Sequence, residues 1–101
     1  MAIYMVTTWV PFDKAEALGE AAAKITKLPP YLKKWQILQT ADGRRGGKSY
    51  NIIYVEDDKI AEAQLYISKL FSSYYGIKGF CYKAEPVMSQ RDVAKLMQME
   101  L

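Results

Sequence analysis

The sequence predicts an α+β domain in which a four-stranded antiparallel sheet carries two helices on one face. Three observations lead there. Apolar patterning runs strand, helix, strand and then strand, helix, strand along the 101 residues. The strand segments are apolar on both sides, as strands covered on both faces are. A glycine-rich turn separates the second and third strands and makes them a hairpin. A chain of this length forms one domain, residues 1–101, with a modest core.

Each element has its own justification. Residues 2–10, AIYMVTTWV, are rich in β-branched and aromatic types and place Ile3, Met5, Thr7 and Trp9 on one side and Tyr4, Val6, Thr8 and Val10 on the other. Neither side is charged, so this strand is central. Pro11-Phe12 ends it, and Asp13 with Glu16 opens a helix in capping-box spacing. Leu18, Ala21, Ala22, Ile25 and Leu28 form its apolar stripe, and Gly19 with the alanines at 21–23 keeps that face small. Pro29-Pro30 stops the helix.

Trp35–Thr40 reads as the second strand, residues 41–47 as the turn and Ser49–Glu56 as the third strand. Asp57 or Asp58 is placed to cap a second helix, whose stripe is Ile60, Ala63, Ile67, Leu70, Phe71 and Tyr74. Gly76 is expected to end it in the left-handed conformation. Gly79–Glu85 makes the fourth strand, and Ser89 with Asp92 opens a short last helix presenting Val93, Leu96, Met97 and Leu101.

That order, βαββαβ, is the ferredoxin-like arrangement. Its helices cover one sheet face. The other would remain an apolar patch larger than monomers tolerate, and a second copy stacked sheet to sheet is the simplest cover. The opening IYMVTTWVP, followed at once by a helix start, and the closing YYGIKGFCYKAEPVM resemble the dimeric α+β-barrel proteins of ferredoxin-like topology. They are also similar to small uncharacterised archaeal proteins of this type. The superfamily includes heme-degrading enzymes, muconolactone-type isomerases and cofactor-free quinol monooxygenases. The resemblance therefore implies a fold, a homodimer and a cleft between helices and sheet, and it implies no single reaction.

Composition narrows the chemistry. Net charge is +3 with no histidine, which removes the commonest general base and a common metal ligand. With one cysteine besides, a zinc or heme site would need carboxylates alone or one axial thiolate, so neither a metal nor a cofactor is expected. The acidic run Glu56-Asp57-Asp58 sits where a helix start favours negative charge. Cys81 lies in an apolar strand pattern and is expected to be a buried structural thiol. No apolar run reaches membrane-spanning length and no signal-peptide layout opens the chain, so a cytoplasmic protein off the membrane is expected.

Eight tyrosines and two tryptophans against three phenylalanines favour aromatics with a polar handle, which suit pockets and interfaces. The candidates for binding a small, partly apolar ligand are Trp9, Trp35, Asn51, Tyr54 and Tyr82. Asn51 stands out because an amide among Ile52, Ile53 and Val55 needs partners when buried. Asparagine and tryptophan also serve in the clefts of the cofactor-free monooxygenases that the chain resembles, which makes such an enzyme the first alternative. No catalytic residue is assigned. Lys83 and Glu85 share a side of the fourth strand with Cys81 and read as charges on an edge.

In the turn, Arg44, Arg45 and Lys48 among three glycines could hold an anion, although the spacing is not that of a P-loop. The same topology also hosts RNA-recognition motifs, and Ile3-Tyr4-Met5 with Lys48 and Tyr50 matches part of their pattern. Ser49 and Ile52 then break the match, so single-stranded RNA is the second alternative and nucleic acid is not the expected partner.

Overall fold

The structure, a computed structural model, describes residues 1–100. Leu101, expected on the apolar side of the last helix, lies outside the described residues. Four strands, β1 (Ala2–Val10), β2 (Leu32–Ala41), β3 (Gly47–Val55) and β4 (Cys81–Val87), form one antiparallel sheet in the order β2-β3-β1-β4. Three helices accompany them: α1 (Ala15–Ala23), α2 (Ile60–Ser72) and α3 (Gln90–Gln98). This is the ferredoxin-like arrangement, with the two-sided apolar strands β1 and β3 in the middle and β2 and β4 at the edges.

Register sorts the two faces. Tyr4, Val6, Thr8 and Val10 of β1 lie beside Ile53, Asn51, Ser49 and Gly47 of β3, and this side faces the helices. The core is Tyr4, Val6, Val10, Ile53 and Val55 from the strands against Ala63, Ile67, Phe71 and Tyr74 from α2 and the turn after it, closed by Phe80. The helical layer is lopsided. Helix α2 contributes three buried side chains and α1 contributes none. Leu18, Ala21 and Ile25 reach the core only half-buried.

The joints differ from expectation in ways that have simple causes. Helix α1 stops at Ala23 rather than at Leu28. Ile25 and Thr26 are β-branched and weak helix formers, and Pro29 drives the residue before it out of helical geometry. Neither Asp13 nor Asp57 or Asp58 makes a side-chain cap. Each of the first two helices starts instead through a single 3-10 turn, where the Pro11 carbonyl accepts from the Lys14 N–H and the Glu56 carbonyl from the Lys59 N–H. The third expected cap does form. Ser89 Oγ accepts from the Asp92 N–H at 3.1 Å, and Asp92 Oδ2 accepts from the Ser89 N–H at 3.3 Å.

Gly76 is not the left-handed stop. The chain after α2 tightens into a 3-10 turn over Ser73–Gly76, and the positive φ falls at Gly79, +88°. A Cβ at Gly79 would sit 2.4 Å from Pro11 Cγ, and one at Gly46 (φ +99°) would sit 2.2 Å from the Val10 carbonyl oxygen. Two loops thus close on the end of β1, and both need glycine to do so.

Cys81 is exposed, not buried. It stands on edge strand β4 and shares with Lys83 and Glu85 the face away from the helices, where no element of the described residues packs over it. That open face has four cross-strand rows. They are Lys34–Tyr54–Ile3–Val87, Gln36–Ile52–Met5–Glu85, Leu38–Tyr50–Thr7–Lys83 and Thr40–Lys48–Trp9–Cys81. Helix α3 does not cover them, for it buries no side chain. Asp92 and Lys95 turn toward Met1, Ile3 and Val87 at the edge of the sheet, while Val93, Leu96 and Met97 are 41, 49 and 80% exposed. The radius of gyration, 15.2 Å, exceeds the roughly 13 Å of a compact chain this long.

Candidate ligand-binding cleft

The lopsided helical layer leaves a cleft of about 570 Å³ between α1, α2 and the sheet. Its roof is the small face of α1, where Ala15, Gly19 and Ala22 bring no bulk, and a Cβ built on Gly19 meets nothing within 4 Å. Phe71, Tyr74 and Phe80 wall one end. The floor is the helix-facing side of β1, β2 and β3, where Thr8, Trp35, Ser49 and Asn51 meet and the exposed Gln39 of β2 lies beside Ser49.

Asn51 organises the floor and is only 5% exposed. Trp35 Nε1 donates to Asn51 Oδ1 at 2.9 Å, and Asn51 Nδ2 donates to the Val6 carbonyl at 3.1 Å and to Ser49 Oγ at 3.2 Å. The amide orientation follows from chemistry, because an indole N–H can only donate and a backbone carbonyl can only accept. Ser49 Oγ and Thr8 Oγ1 share a further short hydrogen bond. Every buried side-chain polar atom of the described residues has a partner.

The cleft is electrically bare. Among the described residues Lys48 is the one charged residue bordering it, and its ammonium lies over the rings of Trp9 and Tyr50 on the open face, 5.4 and 5.0 Å from their centroids. Burial, and secondarily Tyr66, raises the Tyr74 phenol above its ordinary value, so it stays protonated at neutral pH.

Of the five residues proposed from sequence, the structure brings Trp35 and Asn51 together in this cleft. Tyr82 stands just outside, stacked 5.7 Å from Phe71 and 5.6 Å from Tyr75, and burial with the neighbouring Tyr75 raises its phenol. Trp9 and Tyr54 lie on the opposite face. Trp9 Nε1 donates to Asp42 Oδ2 at 2.9 Å, and the Arg45 guanidinium covers its ring at 4.7 Å. Lys34 lies 5.5 Å over Tyr54. Of the turn cations Arg44, Arg45 and Lys48, the last two are engaged with aromatic rings. Tyr4, which matched the RNA-recognition pattern, is 8% exposed beneath the helices, whereas Tyr50 and Tyr54 are on the open face. Thr8 and Ser49 were not singled out from sequence. Their signal was a pair of hydroxyls on otherwise apolar strand sides.

Compared with protein-family models, with curated proteins and with solved structures, the chain has no significant match. No helix among the described residues is long and apolar enough to cross a membrane.

Proposed function

We propose that this chain is a homodimeric α+β-barrel protein that binds a small, partly apolar molecule in the helix–sheet cleft. The observation that carries the reading is the combination of an apolar 570 Å³ cleft with one convergent polar floor, which is the usual make-up of a small-molecule site. Binding is favoured over catalysis because the one charged residue described in the cleft lining, Lys48, has its ammonium over Trp9 and Tyr50 on the open face. The cofactor-free monooxygenase reading rests on the Trp35–Asn51 pair alone. The homodimer rests on the open sheet face, whose centre is apolar and whose rim is charged, as interfaces are. A cytoplasmic setting fits the exposed free thiol of Cys81, which a reducing compartment would preserve.

Native mass spectrometry of protein purified without denaturant tests both parts. The expected species is a dimer of the 11.5 kDa chain with added small-molecule mass that is lost in the Gly19→Phe variant. A bare monomer that takes up no apolar compound would overturn the reading.

A further inference from the structure

We infer that the cleft selects an uncharged, carbonyl-bearing molecule, whose oxygen accepts a hydrogen bond from the Thr8–Ser49 hydroxyl pair. This rests on the cleft being a binding site, and it follows from counting protons. Both Asn51 N–H groups are spent, one on the Val6 carbonyl and one on Ser49 Oγ, and Asn51 Oδ1 is taken by Trp35. The two hydroxyls bring two protons, and the bond between them uses one.

If Ser49 donates to Thr8, the Thr8 proton is left over. If Thr8 donates to Ser49, the Ser49 proton is left over. Either way one O–H donor remains with no acceptor among the described residues, and both hydroxyls border the cleft. An apolar site that offers one spare donor gains from a ligand acceptor and leaves that donor dry against a hydrocarbon. Among the described residues no cationic or anionic side chain projects into the cleft, so a carboxylate or an ammonium would enter without a counter-charge and lose its hydration.

The test uses 1-tetralone against tetralin, which have the same ring skeleton with and without the carbonyl. In a Trp9→Phe background Trp35 is the only tryptophan, so its fluorescence reports the cleft floor directly. The expected result is a preference for tetralone of about three- to tenfold, the worth of one net hydrogen bond. The count also fixes a pattern across variants. Thr8→Val frees the Ser49 proton, and Ser49→Ala frees both the Thr8 proton and the Asn51 N–H that Ser49 Oγ had held, so each single variant keeps the preference.

The carbonyl stretch of bound tetralone in the unmutated protein gives a second readout that depends on no variant folding, and it should shift to lower frequency. Equal binding of tetralone and tetralin, with an unshifted carbonyl, overturns this inference and leaves the cleft reading standing. Failure of both compounds to bind overturns the cleft reading itself. Tighter binding of 1-naphthoate than of tetralone overturns the uncharged class.

Discussion

Asn51 ties three strands with one side chain: it sits on β3, donates to Val6 on β1 and accepts from Trp35 on β2. Asn51→Leu keeps the branched shape with somewhat more bulk and removes all three bonds, stranding the Trp35 N–H beside an apolar side chain. The expected cost is about 2–4 kcal/mol in urea unfolding. A loss below about 0.5 kcal/mol would mean that the stranded groups find other partners. A second residue-scale prediction concerns backbone shape. Gly46→Ala must hold a positive φ and also drive Cβ into the Val10 carbonyl, whereas Gly43 (φ +47°) has nothing within 4 Å. Gly43→Ala should cost about 1 kcal/mol from the left-handed conformation alone, and Gly46→Ala distinctly more. Equal costs would show that the approach of the turn to β1 relaxes freely.

At the scale of elements, α1 governs access to the site. Its glycine and alanines hold the roof off the floor, so Gly19→Phe should fill the cleft and abolish binding while the circular dichroism spectrum is preserved; retained affinity would place the ligand elsewhere. Helix α3 makes a pH prediction. Asp92 is held below the usual carboxylate range first by the Ser89 side chain and then by the Ser89 N–H. A depressed carboxylate contributes stability that is present above its unfolded value and is lost as pH falls through the folded one. Amide and Cα chemical shifts of residues 90–98 should therefore lose helical character only in strongly acidic solution, and Ser89→Ala should weaken them at neutral pH. Helicity unchanged down to pH 2 would sink the role of the cap. The elements were largely legible in the sequence, because two-sided apolar strands and a capping box are local signals. The starts of α1 and α2 were not, since backbone carbonyls rather than Asp13 or Asp57 make those turns. Half of the site was hidden for a related reason. Both sides of β1 and β3 are apolar, so alternation separates Trp9 from Thr8 without saying which side meets the helices.

The whole molecule poses the question of what covers the open face. Two adjacent rows of it, Lys34–Tyr54–Ile3–Val87 and Gln36–Ile52–Met5–Glu85, place apolar side chains on the central strands and mostly polar ones at the edges. Nine residues of β1 across four strands span roughly 30 by 19 Å, so two facing copies would cover about 1,100 Å² before side-chain relief is added. That lies at the threshold of stable interfaces, about 1,200 Å² and above. Ile52→Lys places an ammonium at the centre of the face, where a facing copy would bury two of them against each other. In the isolated chain the same side chain is only half-buried, and a lysine can reach water. Sedimentation should therefore show the unmutated protein as a dimer at micromolar concentration and Ile52→Lys as a folded monomer. Thermal midpoints separate the cases further, because only an associating protein has a midpoint that rises with concentration. A dimer that survives Ile52→Lys would assign the interface to α3 or to the edge of β2, and the open face would then need another cover.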